Sequence, residues 1–308
     1  MTDAGTIKPR ISISEVVGRY VPLKRRGGEH WGLCPFHDER TPSFSVNNAK
    51  GVFNCFGCGA SGNIFSFIQN IENVDFINAK KILGAHPGAG RIVEFKSTPP
   101  VKYNKFNLER ARKIWEASSP INKTPGEAYL RSRGVTIPAP PTIRYHPNLK
   151  HPPTGLDLPA LVVAVSDETH KIKAVQRIYL RTNGHGKAQV NNSKLSLGSI
   201  KGGAVRLSPI RETLVLTEGI EDALSILQQK SNFAVWAVLG AWNLTGQNIP
   251  TSVKRLIIGA DNDEIGREAA QKAAQQYAKE RKQPVEIAYP EKEFKDFNEM
   301  LLSERKSI

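Results

Sequence analysis

Cys34 and His37 are separated by two residues, Cys55 and Cys58 likewise, and seventeen residues lie between the pairs. Three thiolates and one imidazole fill the tetrahedral shell of Zn²⁺ and leave no position for water, so the spacing predicts one structural zinc ion. All three cysteines belong to this set. With none left for a disulfide, a reducing, cytoplasmic setting is expected. A second set is acidic: Glu218 with Asp222, Asp261 with Asp263, and Asp296. Carboxylates crowded together repel one another unless a hard cation intervenes, and Mg²⁺ or Mn²⁺ with carboxylate, water and phosphate oxygens suits that role. Two such ions about 4 Å apart can activate an attacking oxygen and stabilise a leaving phosphate. Taken singly, Asp222 and Asp296 also read as helix N-caps.

The elements that must position these groups differ between the two halves of the 308 residues. Around the zinc ligands, 43–46 and 51–53 alternate like short strands joined by a turn at 47–50. Helices are expected over 13–20, opened by Ser12 or Ser14, and over 62–71 and 75–83. Gly- and Pro-rich stretches near 84–90 and 97–100 read as linker, and 138–153 as proline-rich and irregular. A helix fits 108–118, and strands fit 161–165 and 172–180, with a turn at Asn183-Gly184. From Thr213 the order is β-α-β-β-α-β-α, with strands 213–217, 234–238, 255–258 and 285–288 and helices 220–230, 264–282 and 296–302. That alternation predicts a mostly parallel sheet flanked by helices. Glu218, Asp261 and Asp296 then fall beyond strand C-terminal ends, where such sheets carry their chemistry. The fold class is α+β / α/β: a small zinc ribbon domain over 1–84, a linker over 85–105, and a second body whose two parts are 106–208 and 209–308.

The formal net charge of +14 points to a polyanionic partner such as nucleic acid. Lys24, Arg25, Arg26 and Arg40 with Trp31 and Phe53 mix cations and rings as single-stranded DNA binders do, while Phe44 and Phe56 suit the small core. Arg177 lies in a strand, and Lys187, Lys194 and Lys201 flank a glycine-bearing loop over 184–203. These four are expected to hold a triphosphate or template backbone. Gly198, Gly202 and Gly203 would permit close approach of that ligand. The N-terminus has no apolar signal core, and the longest apolar run, 158–165, is too short to span a bilayer.

The segment Gly32–Phe44 with Cys55-Phe56-Gly57-Cys58-Gly59 resembles the zinc-binding domain of bacterial DnaG-type primases. Glu218-Gly219-Ile220-Glu221-Asp222 with Asp261-Asn262-Asp263 resembles the two signature motifs of the Toprim fold, in the same order. Lys194–Gly198 and Gly202–Leu207 are similar to the shorter primases of phages and plasmids. The resemblance implies a DNA primase that makes short RNA primers on single-stranded DNA from ribonucleoside triphosphates for replication. In that reading 106–208 is the first part of the RNA polymerase core and 209–308 its Toprim domain. Glu218 would be the central metal ligand or proton acceptor, Asp261 and Asp263 the main metal ligands, and Asp222 and Asp296 their supports. The third acidic position departs from the usual Asp-x-Asp: here it is Asp296-Phe297-Asn298, which implies a looser metal position. The chain stops at Ile308, so a replicative helicase is expected to act in trans. Two other readings use the same residues: a Toprim nuclease targeted by its zinc finger, and a single-stranded DNA-binding factor without synthesis.

Overall fold

The computed structural model describes residues 12–36, 42–55, 60–72, 76–84, 103–152, 154–190 and 192–306. The chain divides into two units, Met1–Phe106 and Asn107–Ile308.

In the first unit Ser12 opens helix α1 (Ile13–Val17): its hydroxyl accepts from the Glu15 amide while the Glu15 carboxylate accepts from the Ser12 amide. Strands β1 (Lys24–Arg26), β2 (Glu29–Gly32), β3 (Phe44–Asn47), β4 (Val52–Cys55) and β5 (Ser61–Asn63) form an antiparallel sheet in chain order. Asn63 caps helix α2 (Ile64–Ile71), and α3 (Phe76–Gly84) follows. The core is aromatic. Phe36, Phe44, Phe53 and Phe67 are all buried, with the Phe44 and Phe53 rings stacked at 5.2 Å.

Most of helix α4 (Tyr103–Glu116) belongs to the second unit, followed by α5 (Pro125–Ser132). Strands β6 (Ile143–Lys150), β7 (Asp157–Ser166), β8 (Ile172–Tyr179) and β9 (Lys194–Gly198) make an antiparallel sheet. A second sheet contains β10 (Val205–Arg206), β11 (Thr213–Thr217), β12 (Ala234–Ala237), β13 (Arg255–Gly259) and β14 (Glu286–Ala288), in the order β10-β12-β11-β13-β14. All its pairings are parallel except that of β10. Helices α6 (Ile220–Gln229), α7 (Glu264–Arg281) and α8 (Phe297–Lys306) cover it.

Alternation along the strands sorts the helices. Val215, Val235 and Ile257 share a cluster with Ile220 and Leu224 of α6 and Phe297 of α8. Leu214, Leu216 and Ile258 pack with Ala270, Ala273 and Tyr277 of α7 on the other face. Leu161, Val163 and Ile178 of the antiparallel sheet join the α6 cluster, so the two sheets share one core. Among the described residues no helix is long and apolar enough to cross a membrane.

Several elements differ from the sequence reading. Residues 143–150, expected to be irregular, form β6. Its Pro147 sits where the register with β7 shifts, on an edge strand, which is where a sheet accepts a residue without an N–H. The loop expected over 184–203 contains β9, which pairs with β8. Gly198 and Gly203 do provide close approach, but to the protein itself. A Cβ at Gly198 would lie 2.4 Å from the Lys173 carbonyl oxygen, and one at Gly203 would lie 2.7 Å from a Val165 methyl. Phe53 is a core residue, not a surface ring.

Candidate active site

The acidic residues gather at the C-terminal edge of the parallel strands. Glu218 follows β11; its backbone oxygen accepts from Leu239, and its half-buried carboxylate accepts from the Ala241 amide. Gly219 is the N-cap of α6 and carries Asp222 close: a Cβ there would come within 2.7 Å of Asp222 Oδ2. Asp222 is buried, and its Oδ1 accepts the Asn298 amide at 3.1 Å. Asp261 leaves β13 through Ala260. Asp263 caps α7 by accepting from Gly266 at 2.8 Å, and Asp296 caps α8 by accepting from Glu299 at 2.7 Å. Asn262 ties the Asp261–Asp263 turn to the loop ahead of Asp296.

The charges act on one another. Burial, then Asp296 and Asp261, push the Asp222 carboxyl up to about 7. Burial, then Glu218, Asp296 and Asp263, push Asp261 up to about 6. Burial and Asp263 raise Glu218 in the same way. Like charges that raise each other's proton affinity are the signature of a cluster short of positive charge. Among the described residues no three His, Cys, Asp or Glu side chains stand as a ready-made metal cage. The donor set is nonetheless all oxygen and mutually repelling, which is the chemistry a hard divalent cation relieves.

Asn298, at the departure from Asp-x-Asp, is itself held in place through its amide nitrogen. It is buried, and its amide nitrogen donates to the Arg133 carbonyl at 2.7 Å and to Ser225 Oγ at 2.9 Å. Together with the Asn298 N–H on Asp222, these bonds fix α8 against α6.

The basic residues separate. Arg177 is buried, and its guanidinium donates to the carbonyls of Leu195 and Ser196 at 3.4 and 3.2 Å, joining β8 to β9. Lys201 is exposed at a turn, where its carbonyl accepts from Lys173. Lys187 and Lys194 converge on Glu221, a residue of the acidic segment that was given no role in the sequence reading. Lys187 Nζ lies 3.0 Å from Oε1 and Lys194 Nζ 3.1 Å from Oε2, and Tyr129 of α5 donates to Oε1 at 2.8 Å. Burial raises the Glu221 carboxyl, but Lys194, Lys187 and Tyr129 outweigh it and hold the group well below the usual carboxylate range. A glutamate in a helix turn buried all round requires a charged partner, and the two lysines supply it.

In the zinc unit Cys34 and Cys55 are both buried. The Phe36 amide donates to Cys34 Sγ at 3.4 Å, and Ser43 Oγ lies 3.3 Å from Cys55 Sγ. Buried sulfurs already within reach of donors suit thiolates bound to zinc. His37, Cys58 and Arg40 lie outside the described residues. Lys24, Arg25 and Arg26 are exposed on β1, and half-buried Trp31 of β2 stands opposite Lys24.

Comparison with known proteins places three families along the chain. Residues 2–93 match the CHC2 zinc finger, 106–207 a domain of unknown function (DUF7146), and 213–307 the Toprim domain. The DNA primase of Staphylococcus aureus is 49% identical over 139 residues, covering 42% of this chain and 23% of the relative. That of Geobacillus stearothermophilus is 52% identical over 82 residues, covering 27% and 14%. The chain thus spans less than a quarter of the length of the curated relatives it matches. Among solved structures, the zinc-binding and RNA polymerase domains of the Aquifex aeolicus primase cover 96% of this chain and 82% of theirs at 20% identity and a TM-score of 0.40, too distant a likeness to add weight. The CHC2 zinc-finger match thus precedes the Toprim match along the chain. The zinc-finger and Toprim matches, together with the DNA primases among the relatives, support the DnaG-type primase family.

Proposed function

We propose that the chain is a DNA primase, a DNA-directed RNA polymerase that joins ribonucleoside triphosphates into short RNA primers on a single-stranded DNA template. The observation that carries this reading is the group of Glu218, Asp222 and Asp261, each with raised proton affinity, at the edge of a parallel sheet. Glu218, Asp261 and Asp263 would hold Mg²⁺ or Mn²⁺, supported by Asp222 and Asp296. When bound, the cation supplies positive charge to the attacking hydroxyl oxygen and to the phosphate oxygens. Asp263 and Asp296 each devote one oxygen to a helix cap, which fixes the direction of the other. Glu218, half-buried and raised in proton affinity, is suited to receive the proton of the attacking hydroxyl. Lys187 and Lys194 supply cations for the triphosphate.

One zinc ion held by Cys34, His37, Cys55 and Cys58 would shape the first unit. Its cations Lys24, Arg25, Arg26 and Arg40, with Trp31, would meet the DNA backbone and bases. A replicative helicase completes the expected partners. The test is incubation of the chain with a random single-stranded template, labelled ribonucleotides and Mg²⁺. Short RNA products support the reading. Template cuts without RNA would replace it with a Toprim nuclease, and binding with neither product would leave a DNA-binding factor.

A further inference from the structure

Glu221 stands beside Asp222 yet binds cations instead of sharing one with the neighbouring acids. It is 5% exposed, whereas the Lys187 and Lys194 side chains are 34% and 37% exposed. The carboxylate is therefore the most enclosed of these three groups, and both lysine side chains are partly exposed. The lysines arrive independently: Lys187 from the turn that bridges to Leu180, and Lys194 from the first residue of β9. Each takes one carboxylate oxygen, and the Tyr129 hydroxyl fixes the carboxylate from below.

We propose that Glu221 is a positioning residue that holds Lys187 and Lys194 together as a paired ammonium site for the triphosphate chain of a nucleotide. This rests on the polymerase reading and names the part of the site that receives phosphate. Two flexible lysines side by side repel each other and would splay apart without a shared counter-ion. One carboxylate between two ammonium groups leaves a net positive charge. An ammonium has three donors, so each lysine keeps capacity for a phosphate oxygen after serving Glu221. Lys194 also acts electrostatically on Glu218 and Asp222, the acids proposed to hold and support the cation. Phosphates between the cation and the lysine pair would have positive charge on both sides.

The test titrates the full, zinc-loaded chain with inorganic triphosphate by calorimetry, and separately measures KM and kcat for ribonucleotide joining. Glu221→Gln keeps the shape but removes the shared charge; triphosphate affinity should fall about tenfold, and KM should rise equally with kcat nearly unchanged. Tyr129→Phe, a mild change, should weaken affinity about two- to threefold in the same direction. Lower thermal stability of Glu221→Gln with unchanged triphosphate affinity would make the cluster structural only and overturn the proposal. Tighter binding would overturn it too, because Glu221 would then merely oppose the ligand. If Glu221→Gln does not fold, unchanged affinity in Tyr129→Phe decides against it. Absence of primers from the wild type would defeat the polymerase reading alone, since triphosphate binding is scored separately.

Discussion

The side-chain amide of Asn262 donates to the carbonyl oxygen of Phe294 at 2.7 Å. The same nitrogen reaches Glu291 and Pro290, and the Asn262 backbone N–H donates to Lys295 at 2.7 Å. One residue between Asp261 and Asp263 thus holds the loop that ends at Asp296. Asn262→Ala should lower the stability of the second unit by about 1–3 kcal/mol, since it leaves carbonyls without their donor. It should also raise the Mg²⁺ concentration needed for half-maximal primer synthesis. Thermal unfolding and a Mg²⁺ titration check the two effects, and an unchanged Mg²⁺ requirement would separate this loop from the metal.

Glu218→Gln and Asp261→Asn should each abolish Mg²⁺-dependent ribonucleotide joining while DNA binding stays equal or tightens slightly, because negative charge is removed beside a polyanion. Asp296→Asn should be milder, since Asn also caps helices well and α8 keeps its start. Asp296→Ala should additionally destabilise by about 1 kcal/mol. A primer gel beside a binding titration of each variant makes the comparison; normal primer yield from Glu218→Gln would remove this cluster from the chemistry.

The raised carboxyls set a pH dependence. A carboxyl raised by folding favours the folded state most when protonated. Its contribution is present below the unfolded value and is lost as pH rises through the folded one. For Asp222 and Asp261 that window runs from about 4 to about 7 and about 6. Without divalent metal, the second unit should melt lower at pH 8 than at pH 5.5, and Mg²⁺ should restore much of the loss at pH 8. Glu221 is held low, so it stays ionised across this range and adds no slope. Asp222→Asn should melt higher than the wild type at pH 8 without metal and should respond less to Mg²⁺. A wild type that melts equally at both pH values would contradict the crowding.

Much of this site was legible because its signals are local. An acid after an apolar run names a strand end, as for Glu218 after β11 and Asp261 after β13. The Lys187–Glu221–Lys194 cluster was not legible, because its members lie 34 and 27 residues apart and meet only through tertiary packing. Arg177 was expected to hold phosphate because nothing in the sequence shows that its neighbours offer two carbonyls. The β6 strand was hidden by Pro147, whose tolerance depends on a bulge and an edge position. Helix α5 had readable signals that were passed over: Thr124 as N-cap and Pro125 at the first position.

Loss of zinc should be confined to one unit. Cys55→Ser should release the metal and melt the first unit, because structural zinc contributes on the order of 10 kcal/mol to a small module. The second unit has its own clusters and should keep its transition. Metal analysis with calorimetry tests this; full zinc content in the variant would refute the ligand assignment.

Single-stranded DNA affinity should fall steeply with salt, each neutralised phosphate contributing roughly 0.7 to the log–log slope. Replacing Lys24, Arg25 and Arg26 together with alanine should flatten that slope by up to about 2. An identical slope would mark β1 as ordinary solvated surface.

The position of β1 carries a further consequence. It ends the first unit's sheet, and all three of its residues are exposed cations. A bare strand edge is a template for any other strand, including the same edge of a second copy. Like charge along it makes two copies repel, which guards the unit against self-association through that edge.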